Sequence, residues 1–452
     1  MGRISLAQAA AWCGGTIDPK YKDITFFGAN NDSRKIQAGQ LFVALQGERD
    51  GHDYIPAALE KGAGAVLCTH CDGDYPAIVV ENTRLALGEI ARQERQRIGC
   101  KVVGITGSVG KSTTKEMVAA VLADTYRVNK TPENHNNDIG MPMAILAMPE
   151  DTEIAVLEMG MNHFGEIAYL TGIAKPDVAV IVNIGTMHIE HLGSMEGILR
   201  AKLEILEGLG ENGRIVLNGD DPLLWNLHNT LDRVTYFGDS NTECSVFATD
   251  VAEENGKLTF QVNMPDDHVV VTLPLEGLHY VPDALAAISV GLHFGITGEN
   301  IGKALADFRN MDGRQEIFKA GEYTIIKDCY NAGPESMAAA LAVLGSKSGR
   351  RIAVLGDMLE LGVCAQAEHY RVGRFAAEKA DLLFAYGPNG DRVLSGAITG
   401  GMPSAAVRVF ADREKLVEAL KQVVKPGDVL LFKGSHGMRM DLALDKFLHE
   451  EK

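Results

Sequence analysis

The sequence predicts an α/β protein of three domains: a small N-terminal α/β domain, a central phosphate-loop parallel-sheet ATPase domain with an antiparallel insertion, and a C-terminal Rossmann-like doubly wound domain. Three observations predict it. The 452 residues exceed one ordinary core, since a domain takes about 150 residues. Short apolar runs ending in polar loops alternate with helix-length segments, the pattern of parallel strands covered by helices. That alternation restarts after Asp312-Gly313-Arg314, which places the domains at 1–98, 99–313 and 314–452.

Composition narrows the class. With 46% apolar and 23% charged residues, each domain can bury a core and disorder is not the default. A formal charge of −17, from 43 basic and 60 acidic residues, excludes general binding of nucleic acid or of an anionic membrane surface. Anionic ligands must then be held by local positive sites. Seven cysteines lack a framework spacing, which suits a reducing compartment, and a cytoplasmic monomer is expected. Cys68-Thr69-His70-Cys71 has the spacing of half a zinc site, but no second pair follows, so structural thiols are expected. No apolar run approaches the roughly 18 residues of a membrane span, so no membrane insertion is expected.

Residues 1–15 are alanine-rich, but Gln8 interrupts the apolar run and Arg3 is the sole positive charge, which argues against a signal peptide. Ser5 and Gln8 form a capping box, and Gly14-Gly15 stops the helix. Further on, Asp32-Ser33-Arg34 and Asp50-Gly51-His52 flank an apolar strand at 41–45; they form either a binding rim or an ordinary solvated loop.

The central segment opens with a strand at 102–106 that runs into Gly107-Ser108-Val109-Gly110-Lys111-Ser112-Thr113. In a phosphate loop, glycines let backbone N–H groups surround phosphate oxygens, the lysine reaches the outer phosphates and the next hydroxyl holds Mg²⁺. The usual spacing asks for a glycine where Ile105 stands, so the loop is a variant; ATP binding is expected, with a plain turn as the alternative. Strands at 154–157, 178–184 and 215–217 follow. The first ends in Glu158, which suits Mg²⁺ or is a simple strand-end charge. The second delivers His188 to the same sheet edge, where open α/β folds bind ligands. Histidine is an uncommon Mg²⁺ ligand, and the neighbouring Glu190 and His191 raise zinc, although no His-Glu-x-x-His pattern is present. Residues 245–275 alternate as an antiparallel insertion. Strands at 324–327, 351–355, 381–386, 407–410 and 429–432 make up the third domain.

Taken in order, TGSVGKST (106–113), NHNNDIGMP (134–142), EMG (158–160), the 183–202 stretch beginning NIGTMH, GRQE (313–316), DCYNAGPESMAAAL (328–341) and GDMLELG (356–362) cover nearly the whole chain. Together they resemble the Mur ligase family. The N-terminal DSR and DGH stretches, YNAGP, GDMLELG and LLFKGSHGM (430–438) are similar to the member that adds D-alanyl-D-alanine to a UDP-N-acetylmuramoyl-tripeptide. The Asp-Asn-Pro-Arg signature of the sister enzyme that adds the third residue is missing. The resemblance implies an ATP-dependent ligase of peptidoglycan synthesis that works through an acyl phosphate, with ATP and two Mg²⁺ ions.

It also implies roles. Lys111 and Ser112 would hold the phosphates and the first Mg²⁺, completed by Glu158. His188 would join Glu158 at the second Mg²⁺, beside a carbamylated Lys202; unmodified, Lys202 reads as a helical surface lysine. Arg314 would neutralise the γ-phosphate from the interdomain joint, and Asp328 would contact ribose. Asn137 would meet nucleotide or muramoyl substrate, Ser33 and Arg34 would seat the uridine diphosphate end, and Asn331, Pro334 and Ser336 would lie near the dipeptide. Two departures stand out. The family's His-Asn-x-x-Asn is His279-Tyr280-Val281-Pro282-Asp283 here, where Asp283 can accept a hydrogen bond from ribose or adenine but cannot donate as the amide does, so the family's adenine contacts do not carry over to Tyr280 and Asp283. Its Asn-Ala-Asn-Pro is Asn331-Ala332-Gly333-Pro334, which removes one side chain near the dipeptide. Two rivals remain: a ligase of the same family with another amino acid or a folate-type acceptor, and an ATP-gated binding protein that ligates nothing.

Overall fold

The computed structural model describes residues 2–449. Helix Leu6–Cys13 begins where the Ser5 side chain accepts from the Gln8 N–H and ends at Gly14, whose φ of 68° is the left-handed turn glycine allows. A parallel sheet follows in the order Ala29–Asn30, Leu41–Val43, Ala65–Cys68, Ala77–Val79. Helix Thr83–Ile98, capped by Asn82, then buries Leu87, Ile90 and Ala91 in an apolar cluster shared with Met141, Ile145, Leu170 and Ile173. Those four side chains come from helices Gly140–Leu146 and Glu166–Ala174. The N-terminal unit is therefore fastened to the next by a continuous core, each fully buried side chain contributing roughly 1.5–3 kcal/mol.

The central sheet has nine strands. Strand Lys101–Thr106 lies between Ile154–Glu158 and Val178–Ile181, parallel to both. Their carboxyl ends therefore open onto one edge, which gathers the glycine loop, Glu158 and the 182–188 segment. The short strand Val128–Lys130 closes one flank. On the other, Arg214–Asn218 and Val234–Gly238 precede Val246–Glu254, where antiparallel pairing begins with Lys257–Asn263 and His268–Leu273. The antiparallel stretch thus extends the rim of the central sheet.

The third sheet has the order Glu316–Ala320, Tyr323–Asp328, Val429–Lys433, Arg351–Gly356, Leu382–Tyr386, Val407–Phe410. Its first pair is an antiparallel hairpin and the rest are parallel. Separate apolar clusters cover its two faces, as a doubly wound sheet requires. No helix among the described residues is long and apolar enough to cross a membrane.

Candidate active site

The glycine loop leaves strand Lys101–Thr106 and opens helix Lys111–Ala123. Its last glycine, Gly110, has φ 82°, and an added Cβ would stand 2.3 Å from Asp283 Oδ1, so conformation and space both demand glycine there. Asn183 laces the loop from the neighbouring strand end: its Oδ1 accepts from Ser108 N at 3.1 Å and Val109 N at 3.0 Å. The first-turn N–H groups of the helix that follows lack intrahelical acceptors and form an anion site. Lys111 folds back, Nζ donating to Gly107 O at 2.7 Å and Ser108 O at 3.1 Å. Burial lowers its pKa, opposed by the charge of Glu158.

Glu158 is no solvated strand-end charge: it is 2% exposed. Ser112 Oγ donates to its Oε2 at 2.8 Å and Asn136 Nδ2 to its Oε1 at 2.8 Å. Lys115, fully buried one turn after Lys111, lies 3.8 Å from Glu158 Oε2 and donates to Thr131 O at 2.8 Å. A hydroxyl and a carboxylate meeting in a buried corner form the hard-oxygen set that Mg²⁺ prefers, so these residues fit such an ion. No cluster of three or more His, Cys, Asp or Glu able to hold a metal occurs among the described residues; Cys68 is buried and its thiol is pushed up to about 12 by that burial.

The third domain supplies the other wall. Arg314 Nη2 donates to Ser112 Oγ at 2.9 Å, and its guanidinium lies 3.9 Å from the centre of the Tyr330 ring, a cation–π contact that holds the charge over the loop. Asp328 pairs with the buried Lys433 at 2.6 Å, and Lys433 also donates to Asn331 O at 3.0 Å. Glu335 Oε1 accepts from Thr186 N at 3.0 Å and Thr186 Oγ1 at 3.1 Å, pinning the two domains together. Glu360 Oε2 stands 2.8 Å from His188 Nδ1, within ion-pair range though not a directed hydrogen bond; His188 holds the Glu360 carboxyl below its usual range.

One cavity of about 510 Å³ collects Gly107 to Thr113, Asn137, Glu158, His188, Lys202, Asp283, Arg314, Asp328, Asn331 and Ser336. Asn137 spends its Oδ1 on Ile139 N and Gly140 N. Pro334 does not line the cavity: it is buried as the first residue of helix Pro334–Gly345, while Glu335 and Ser336 do line it. Ser33 and Arg34 also lie outside it, Arg34 exposed and holding both oxygens of Asp32 at 2.9 Å. In the DGH stretch His52 is spent on the fold, with Nδ1 2.6 Å from Asp50 and Nε2 accepting from Thr69 N at 2.9 Å.

Lys202 corrects an expectation. It is no surface lysine but 2% exposed, on the buried side of helix Met195–Leu203. No hydrogen bond or ion pair reaches its Nζ among the described residues. Burial, reinforced by the charge of Lys111, depresses its pKa well below the ordinary value. Asn183, Asn136, Lys115, Tyr330, Lys433, Glu335 and Glu360 complete the site; of these, Lys115 was foreseeable, since four residues after Lys111 is the same helix face.

Asp283 is buried against the glycine loop with one donor, Thr114 Oγ1 at 3.1 Å. Burial pushes its carboxyl up to about 8 from 3.8, against the opposing pull of Thr114 and Arg314. Between those two values the folded chain holds a proton that the unfolded chain has lost, so this residue's contribution to stability falls as pH rises. Asp283→Asn removes that slope. Melting of the nucleotide-free chain is expected to show the variant gaining on the wild type between about pH 5 and about pH 8; a difference independent of pH would remove the assignment.

A phosphate loop, an acid–hydroxyl pair and an arginine brought in from a second sheet define an enzyme that works on a nucleoside triphosphate between domains. Three family models match: "Mur ligase family, catalytic domain" over residues 24–95, "Mur ligase middle domain" over 105–291, and "Mur ligase, glutamate ligase domain" over 313–436. The chain is 40% identical over 437 residues to the UDP-N-acetylmuramoyl-tripeptide--D-alanyl-D-alanine ligase of Bacillus subtilis, covering 94% of each. It superposes on a crystal structure of MurF from Acinetobacter baumannii with a TM-score of 0.91 at 31% identity over 100% of both chains. The MurF ligase of Thermotoga maritima in complex with ADP gives 0.82 at 31% identity, over 93% of this chain and 97% of that one. The chain belongs to the Mur ligase family, and it is an ATP-using ligase.

Proposed function

We propose that this chain joins D-alanyl-D-alanine to UDP-N-acetylmuramoyl-tripeptide in peptidoglycan precursor synthesis, working as a cytoplasmic monomer. Residues 1–98 hold the uridine diphosphate end, with Ser33 and Arg34 at that seat; 99–313 hold ATP; 314–452 hold the dipeptide near Asn331 and Ser336. The terminal carboxylate of the tripeptide attacks the γ-phosphorus of ATP and ADP leaves, giving an acyl phosphate. The dipeptide amine then attacks the acyl carbon, phosphate leaves with the bonding pair, and the amine proton passes to solvent or phosphate. One observation carries the reading: Lys111, Arg314, the Ser112–Glu158 pair and the unpartnered Lys202 share one cavity between two sheets.

The first step brings two anions together, so its barrier is electrostatic. Lys111 and Arg314 approach the phosphates from two domains and lower that barrier, while the docked third domain keeps water from the acyl phosphate. Ser112 and Glu158 would hold one Mg²⁺, and Glu158, His188 and a carbamylated Lys202 would hold a second; bound there, they would supply further charge neutralisation at the phosphates. Asp328 and Asp283 serve the nucleoside end, and Asn137 borders nucleotide and muramoyl substrate. The test is phosphate release with ATP and a UDP-muramoyl tripeptide. Release is expected to depend on D-alanyl-D-alanine and not on single amino acids; equal stimulation by a single amino acid, or release without any amine, would overturn the reading.

A further inference from the structure

The third domain touches the segment that carries His188 at several places. Glu335 holds Thr186 by its N–H and hydroxyl. Glu360 faces His188 Nδ1 at 2.8 Å. Gly362 packs so closely that an added Cβ would stand 2.9 Å from Glu190 Cβ. His188 and Glu360 are both non-glycine residues in the left-handed region, at φ 66° and 62°. Side chains resist that conformation, and it persists where surrounding contacts over-determine it; here the two strained residues are each other's contact. His188 Nε2 makes no hydrogen bond among the described residues, and the ring lines the cavity.

We propose that Glu360 is a positioning residue: its carboxylate, 2.8 Å from Nδ1 of His188, fixes a ring that lines the cavity, so that docking of the third domain completes a divalent-cation site on the central domain that Nε2 would join. This rests on the metal role given to His188 above. A ligating imidazole needs its second nitrogen engaged by a carboxylate or carbonyl to fix tautomer and ring direction, and removal of that outer partner typically weakens metal binding about 10- to 100-fold. Here the partner comes from a different domain than the ligand, so the site is whole only when the domains are together. Lys202 and Glu158 both reach the cavity from the central domain, as does His188; Glu360 comes instead from the third domain, on the loop after strand Arg351–Gly356.

The test uses the full chain with ADP in bicarbonate buffer and Mn²⁺ as the probe, followed by electron paramagnetic resonance and by the nitrogen modulation of a bound imidazole. His188→Ala is expected to lose one class of Mn²⁺ and the imidazole signal. Glu360→Ala is expected to weaken that class about 10- to 100-fold. Glu360→Gln, whose amide oxygen can take the carboxylate's place beside Nδ1, is expected to recover most of the binding. Because Glu360 is half-exposed, these variants leave the core intact, and a melting curve checks it. Wild-type Mn²⁺ affinity and imidazole signal in Glu360→Ala, alongside their loss in His188→Ala, overturns the proposal. No change in His188→Ala instead overturns the metal reading of His188, and the proposal with it.

Discussion

Lys111→Ala is expected to lower ligation by more than about a hundredfold, the loss that follows removal of one preorganised charge from a water-excluded site. The reasoning starts from the backbone. A lysine at the first helical position after a glycine loop sits where unpaired N–H groups already favour an anion. Its Nζ is held on the carbonyls of Gly107 and Ser108, a short swing from any phosphate seated on the loop. Glu158 and Arg314 both bear on it electrostatically, so the charge belongs to the same network as the Ser112–Glu158 pair and the arginine from the third domain. Because attack of a carboxylate on a phosphoryl group builds negative charge at the transition state, the loss is expected mainly in kcat, with a smaller change in KM for ATP. Amine-dependent phosphate release measures both, and near-normal turnover refutes the role. Lys111→Arg is not a rescue, since a planar fork cannot rest on the two loop carbonyls as a compact ammonium does.

What the sequence discloses and what it hides differ for a physical reason. The central strands are covered on both faces, so they read as unbroken apolar runs, and Val102, Val103 and Ile105 are all fully buried. Strand Glu316–Ala320 is half-exposed at most positions, and Val128–Lys130 carries a solvated lysine; neither has the pattern that marks a strand. The same holds for the site. Lys111, Ser112 and the loop glycines are one contiguous segment whose chemistry needs their spacing, so they are legible locally. Glu335 and Glu360 matter only because folding carries them against Thr186 and His188 from distant parts of the chain. Lys202 lies between these cases. Ile198, Ala201 and Lys202 fall at i, i+3 and i+4 and are all buried, so helical periodicity places the lysine on the inner face even though its charge suggests solvent.

Lys202→Ala is expected to abolish most ligation, and added acetate or formate is expected to restore part of it. A buried ammonium with no counter-ion is among the costliest groups a protein can hold, and the ordinary escape is to lose the proton. Burial and the nearby charge of Lys111 push Lys202 in that direction. A neutral amine is the form that adds to carbon dioxide: the nitrogen lone pair forms the N–C bond and one proton is released, leaving a carbamate. That product changes the electrostatics of the site, because an anion replaces a neutral amine near Lys111, lining the cavity that holds Glu158 and His188. The alanine variant keeps the helix, since alanine is the best helix former, but leaves a space where a small carboxylate can take the place of the lost anion. Activity of wild type should fall when carbon dioxide is stripped from the buffer and return with bicarbonate, while the alanine variant should respond to short carboxylates and not to bicarbonate. A fully active Lys202→Ala, or wild-type activity indifferent to carbon dioxide, removes the carbamate. The buried lysine would then need another neutralising partner, and none of the described side chains bonds to its nitrogen.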